Sequence, residues 1–409
     1  RKKMKKYYPW VVVALLSVVA LLNYLDRQML STMQASMSAD FAELRNAEMF
    51  GVLMAAFMWV YAFVSPFAGV VADSVSRKWL IVCSLAVWSA VTCLMGYAET
   101  FEQLWWLRAV MGISEALYIP SALSLIADWH RGGSRSLAVG IHMTGLYVGQ
   151  ALGGFGAMMA DSLSWQVTFQ TLGFFGVAYA VVLMLLLREN RAEAASASSK
   201  NSSEGKFMPI IRGVTLVCGS LPFWVILCVF AIPSLPGWAT KNWLPSLFAE
   251  SLGMTMSEIG PIATISLAAS SFAGAFLGGY VSDRWARVNV RGRVYTSAIG
   301  LGLTLPGLVL LGFGSGMPAV VGAVVLFGVG FGMFDTNNMP ILCQFIPSRG
   351  RATAYGLMNM TGVLFGAVAT QLMGSLPSLG VGFACMAGAV AVAIGLQLGC
   401  LRPEVDNME

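Results

Sequence analysis

Six ionisable side chains interrupt stretches of sequence that are otherwise almost wholly apolar: Asp26, Arg27, Arg108, Glu115, Lys241 and Asp335. A carboxylic acid taken out of water can load and release a proton, so Asp26 and Glu115 are the proton-carrying candidates. A cation in the same surroundings is a binding point for an anion, and a guanidinium matches a carboxylate through two parallel hydrogen bonds. Spacing sharpens this reading. Arg108, Gly112 and Glu115 stand at i, i+4 and i+7, on one face of a helix. Asp26 and Arg27 are adjacent and point about 100° apart, so one can face a neighbouring helix while the other faces a cavity. An acid held against Arg108 would stay ionised, and three acids with three bases could also cancel as ion pairs that lock helices together. Six charges at helix centres cost about 2.5–3.5 kcal/mol each on insertion scales, so some return on that cost is expected.

The elements that must position these groups are membrane-spanning helices. Of 409 residues 57% are hydrophobic and 11% are charged, against about 25% charged in a soluble protein. A span needs about 20 mostly apolar residues, and twelve runs qualify: 9–33, 49–71, 79–98, 103–127, 135–160, 165–187, 217–248, 257–281, 294–314, 318–345, 352–375 and 379–401. The fold class expected is an all-α membrane protein of twelve transmembrane helices in two six-helix bundles. Pro222, Pro233, Pro236 and Gly237 predict a broken seventh helix, which membranes tolerate where a helix lines a cavity. With a cytoplasmic N-terminus, 21 of the 25 Lys and Arg fall in inner segments, so both termini are read as cytoplasmic. The scattered basic residues exclude nucleic acid as a partner. Residues 188–216 are polar and rich in Ala and Ser, and read as a cytoplasmic linker between an N-terminal half, 1–187, and a C-terminal half, 217–409. The seven cysteines form no C-x-x-C pair, and no metal site is expected.

The halves repeat each other. Gly69, Asp73, Arg77 and Lys78 after the second span answer Gly279, Asp283, Arg284 and Arg287 after the eighth. Met143-Thr144-Gly145 and Gly149 answer Met360-Thr361-Gly362 and Gly366, and Asn23-Tyr24-Leu25 answers Asn242-Trp243-Leu244. Arg27 and Lys241 therefore sit at comparable depth on equivalent helices. Repeats of this kind place a substrate site near the bilayer midplane. The acid and bases of the loop copies, Asp73, Arg77, Asp283 and Arg284, are gate candidates that could bridge cytoplasmic helix ends. An ordinary charged loop is the plainer reading.

This arrangement resembles the major facilitator superfamily over essentially the whole chain. The first loop copy departs from that family's pattern, with Ser74 and Ser76 where arginine and glycine are usual. Tyr24-Leu25-Asp26-Arg27, Tyr61, and Leu107-Arg108 with Gly112, Glu115 and Ala116 resemble the anion:cation symporter branch, which includes sialin, the vesicular glutamate transporters and bacterial hexuronate and galactonate permeases. The resemblance implies proton-coupled symport of a small organic anion by alternating access, with Arg27 on the substrate carboxylate and Asp26 and Glu115 as protonation sites. Asn359 matches a position that contacts sugar hydroxyls in the sugar-acid members. Lys241 and His142 lie outside that pattern and would tune specificity. Leu22 to Arg27, Glu115 to Tyr118 and Leu125 to Asp128 are also similar to spinster-type transporters of lysolipids and other amphiphiles. Lys241, Asn337, Asn338 and Asn359 favour the sugar-acid branch, because a lipid tail would want apolar walls there.

Tyr24, Tyr61 and Trp243 are expected as cavity walls, and the remaining aromatics as interfacial or lipid-facing. His142 has a packing reading beside a binding or proton role. His130, at a helix end, is expected in solvent. Asp335 reads equally as a gate, a second ion site or a structural partner. The sequence has no P-loop, H-E-x-x-H or G-x-S-x-G motif, which argues against an enzyme or an ATP-driven pump. No cofactor is expected beyond a proton gradient. The partners are a small organic anion, protons and lipid, and the chain is read as a monomer in a bacterial inner membrane.

Overall fold

The computed structural model describes residues 2–130, 134–189, 218–347 and 351–403, and the side chains of most of these. Residues 190–216 of the expected linker lie outside the described residues, as does the side chain of Asp73. Among the described residues regular structure is helical throughout. The first half comprises α1 (Lys2–Leu30), α2 (Gln34–Met37), α3 (Ala47–Ser74), α4 (Arg77–Met95), α5 (Phe101–Ala116), α6 (Tyr118–Trp129), α7 (Arg135–Gly153), α8 (Gly156–Leu163) and α9 (Trp165–Leu186). The second comprises α10 (Leu221–Leu252), α11 (Met256–Ala286), α12 (Gly292–Phe313), α13 (Met317–Asp335), α14 (Asn338–Phe345), α15 (Arg351–Met373) and α16 (Leu379–Cys400). Among the described residues eleven stretches are long and apolar enough to cross a membrane. The fifth expected span is divided at Gly154 and Phe155 into α7 and α8, and with it the count of twelve is met.

Two further spans are divided, and for one physical reason. The fourth breaks at Leu117 and the tenth at Thr336 and Asn337. Proline lacks an N–H, and its ring crowds the carbonyl four residues earlier. Pro120 stands four residues after Ala116, and Pro340 four after Thr336. The seventh span behaves differently. It was expected to break, yet α10 runs unbroken for 32 residues with Pro233, Pro236 and Pro245 inside it. All three prolines are buried, so neighbouring helices hold the chain on its helical course, and the single lost bonds do not interrupt it.

The chain forms two compact units. The first is Arg1–Arg45 with Ala56–Lys206, and the second is Asn46–Ala55 with Phe207–Glu409. In the first, α1 packs along α7 and α4 along α9. The α1–α7 seam is a backbone contact. A Cβ added at Gly145 would lie 2.3 Å from the Ser17 carbonyl oxygen, and one at Gly149 would lie 2.1 Å from that of Leu21. Lipid supplies no hydrophobic drive between helices, so small residues that admit close approach carry the association. In the second unit α13 packs on α11 and α12, and α15 on α10. The start of α3 belongs to this unit. Phe50 meets Trp243 edge-on with centroids 5.9 Å apart, and the Trp243 indole donates to the Thr370 carbonyl at 2.9 Å.

Candidate functional site: the buried charges of the first unit

The register of α1 against α7 fixes where α1 presents its polar turn. Asp26 and Arg27 leave the helix in different directions, as adjacent residues must. Asp26, 6% exposed, accepts a hydrogen bond from the Thr92 hydroxyl of α4 at 3.3 Å. Arg27 reaches the other way and donates from Nε to Glu115 Oε2 of α5 at 2.5 Å. Glu115 is fully buried, and it occupies the last turn of α5, immediately before the break that Pro120 imposes.

Aromatic rings enclose the Arg27 guanidinium. Its central carbon lies 5.1 Å from the Tyr24 ring centroid, 4.6 Å from Phe57 and 5.0 Å from Tyr61. Arg108, also buried, sits 5.1 Å over the same Phe57 ring and donates to the Met111 sulfur at 3.4 Å. Gly112 brings α3 and α5 close enough for this. A Cβ there would fall 2.6 Å from the Phe57 carbonyl oxygen and 3.0 Å from the Tyr61 nitrogen. Each cation–π contact in a desolvated place is worth about 2 kcal/mol.

The structure thus gathers Asp26, Arg27, Arg108, Glu115, Tyr24 and Tyr61 into one cluster of the first unit, and adds Phe57. The sequence reading missed Phe57, because one phenylalanine in an apolar helix carries no mark of its own. The signal was its place, four residues before Tyr61, which puts both rings on one helix face. Phe57→Leu should lower stability in detergent by about 1–3 kcal/mol, through the lost ring under two guanidiniums and a small cavity. Phe57→Tyr should stay close to the parent. Thermal unfolding midpoints of the two variants check this, and equal midpoints would remove the ring from the account.

The other expected residues fall elsewhere. His142 is fully buried in α7, its ring 5.9 Å from that of Tyr118. Trp243 was expected as a cavity wall; it is 1% exposed and packs on Phe50 and Thr370 of the second unit. Its indole N–H is satisfied inside the fold, so it serves there as packing. Asn359 is half-buried in α15. Lys241, in α10, lies 4.8 Å from the Trp238 ring, and Asp335, at the end of α13, accepts from Asn338 at 3.3 Å. His130 was expected in solvent but is 3% exposed, its ring 4.6 Å from Trp10 and its Nδ1 3.2 Å from the Ser134 hydroxyl. The α1 ring covers it, a long-range contact that local sequence does not announce. Among the gate residues, Arg77 pairs with Asp128 at the end of α6, and Asp283 with Arg293 at 2.8 Å, while Arg284 is exposed. The loop charges therefore bridge helix ends within each unit.

Four charges in one buried cluster, two of each sign, sum to zero. Within it one cation, Arg27, is already satisfied by an internal carboxylate, that of Glu115. The comparisons agree with a transport role. The chain is 25% identical to the D-galactonate transporter of Escherichia coli O6:H1 over 92% of its own length and 90% of that protein's. It is 25% identical to the hexuronate transporter of Bacillus subtilis over 77% of this chain and 74% of the other. A crystal structure of a bacterial homologue of the human lysosomal transporter Spinster, inward-facing and unoccupied, matches the fold with a TM-score of 0.74 at 18% identity, covering 96% of this chain and 95% of that one. The family profile of the Major Facilitator Superfamily matches residues 16–370. The chain is a multi-pass membrane transporter, not an enzyme, and belongs to the Major Facilitator Superfamily.

Proposed function

We propose that this protein is a proton-coupled symporter of a small organic anion, a sugar acid such as a hexuronate, an aldonate or sialic acid, working by alternating access. The observation that carries the proposal is the 2.5 Å bond between Arg27 and Glu115 inside an aromatic cage. One cation serves two possible carboxylates, the protein's own and the substrate's. An incoming carboxylate that takes Arg27 releases Glu115 as a second buried negative charge, and an uncompensated buried charge is costly. Protonating Glu115 restores the neutral sum. Substrate and proton therefore enter together because the cluster cannot hold one extra charge. Asp26, held by Thr92 and distinct from the exchanging pair, is a second place for a proton. The names of the galactonate and hexuronate relatives support the substrate class. On this reading it works as a monomer in a bacterial inner membrane with both termini cytoplasmic, as the distribution of Lys and Arg suggests.

Uptake into proteoliposomes under an imposed pH gradient tests this, with galactonate, glucuronate, sialic acid and a lysolipid as substrates. Gradient-dependent accumulation of a sugar acid is the expected result, and movement of lysolipid alone would overturn the proposal. Glu115→Gln should abolish accumulation while leaving counterflow exchange, since the variant is neutral at that position at every pH. Undiminished gradient-driven accumulation in Glu115→Gln would take Glu115 out of the coupling.

A further inference from the structure

The repeat gives the first helix of each unit an asparagine, and the two asparagines are used differently. Asn242 of α10 donates from Nδ2 to the Thr370 hydroxyl of α15 at 2.8 Å. The α7 residue that answers Thr370 in the repeat is Gly153, which has no side chain to offer Asn23. Asn23 is fully buried in α1, and among the described residues neither its amide oxygen nor its amide nitrogen completes a hydrogen bond. A buried amide left unpaired is costly, so its presence calls for an occasion on which it is paired.

Its position says where that partner lies. Leu16, Asn23 and Arg27 stand at i, i+7 and i+11, on one side of α1. Tyr118 donates to the Leu16 carbonyl at 2.8 Å, and Arg27 donates to Glu115 at 2.5 Å. Both contacts reach the place where the fourth span breaks, between α5 and α6. Asn23 lies between them, one turn from Arg27, and its amide is within reach of the carboxylate that Arg27 holds. That carboxylate has a matching gap, for Glu115 Oε1 is buried and has no partner among the described residues. The other ionisable groups around Glu115 are Asp26 from α1, Tyr61 from α3 and Arg108 from its own helix. An amide differs from all of them in carrying two donors and an acceptor on a neutral group.

We propose that Asn23 is a positioning residue that follows Glu115 through its change of charge, a role that rests on the exchange of Arg27 between Glu115 and the substrate proposed above. Turned one way, the Asn23 amide donates an N–H to Oε1 of the ionised carboxylate. When the substrate takes Arg27, Glu115 accepts a proton from hydronium, which is left as water, and no other covalent bond changes. The amide then turns about its last side-chain bond, and its oxygen accepts from the new O–H. Each charge state of Glu115 thereby finds a partner in the step to which it belongs.

The test is the gain in galactonate affinity on acidification, measured by isothermal titration of the full-length protein in detergent, in mildly alkaline and in mildly acidic buffer. The parent should gain, because binding carries a proton with it. Asn23→Leu keeps the branching of the side chain and removes donor and acceptor together. It should shrink that gain about tenfold, the worth of about one hydrogen bond, and leave the thermal midpoint at or above the parent's. Asn23→Ala removes the amide by truncation, so that overpacking by leucine cannot be the cause, and should shrink the gain alike. A gain that persists in both variants would overturn the proposal and leave the exchange of Arg27 standing. Affinity lost equally in both buffers would also overturn it, since Asn23 would then act on the substrate or the fold and not on the proton. A parent without any gain would show that the exchange itself has failed, and the role of Asn23 with it.

Discussion

Replacing Arg27 with alanine should abolish accumulation of the anion and also destabilise the protein, and the two effects can be separated. The guanidinium donates to Glu115 at 2.5 Å, and Glu115 is fully buried. Removing one partner of a buried pair leaves a stranded charge and costs about 3–5 kcal/mol. That loss alone could lower the yield of folded protein and mimic a transport defect. The double variant Arg27→Ala with Glu115→Gln removes the stranded charge as well. It should recover most of the thermal midpoint yet still fail to bind a sugar acid, because the cation that the carboxylate needs is absent. Binding by isothermal titration and unfolding in detergent read the two quantities independently. Recovered binding in the double variant would show that Arg27 acts through Glu115 and does not contact the substrate.

The second large effect is on assembly of the fold. Gly149→Leu should prevent α7 from closing on α1. The first carbon of any side chain at that position would lie 2.1 Å from the Leu21 carbonyl oxygen, a backbone atom that cannot rotate away. Overpacking of this kind typically costs about 1–3 kcal/mol and more where backbone must move. Here the displaced helix carries Asp26 and Arg27. Size-exclusion profiles of the solubilised variant should show aggregate in place of the parent peak. Gly140, on the same helix, has nothing within 4 Å of an added Cβ, so Gly140→Ala should be neutral or gain up to about 1 kcal/mol from helix propensity. A parent-like profile for Gly149→Leu would mean that the seam is looser than the structure shows.

Much of this was legible in the sequence. Long apolar runs and the six interrupting charges follow from composition and spacing alone, because the bilayer constrains helix length and penalises charge so strongly. The divergence of Asp26 from Arg27 followed from helix geometry. Pairing did not. Whether Arg27 or Arg108 meets Glu115 depends on how α1 and α5 approach, and Gly112 and the α7 glycines set that approach through contacts distant in sequence. Phe57 and His130 were missed for the same reason, since one becomes part of the site and the other becomes buried only through helices that pack on them. The prolines misled in one place and were overlooked in two. Those of α10 lie in a helix held straight enough by neighbours to continue, whereas Pro120 and Pro340 do divide their spans. Proline removes the same bond in each case, and the surroundings decide whether the helix ends.

If Arg27 takes the substrate carboxylate as proposed, the ring cage around it bears on which anions it would prefer. Three aromatic faces stand where a hydration shell would otherwise be. A guanidinium is weakly hydrated to begin with, so the cation is ready to receive a ligand with little water to displace from its own side. In the proposed exchange every anion must displace Glu115 alike, so the cost that differs from one anion to the next is its own dehydration. Anions whose charge is spread over a carboxylate shed water more readily than compact, doubly charged ones such as sulfate. Selectivity at Arg27 would then arise from what each anion gives up in solution, before any contact with a sugar hydroxyl is made.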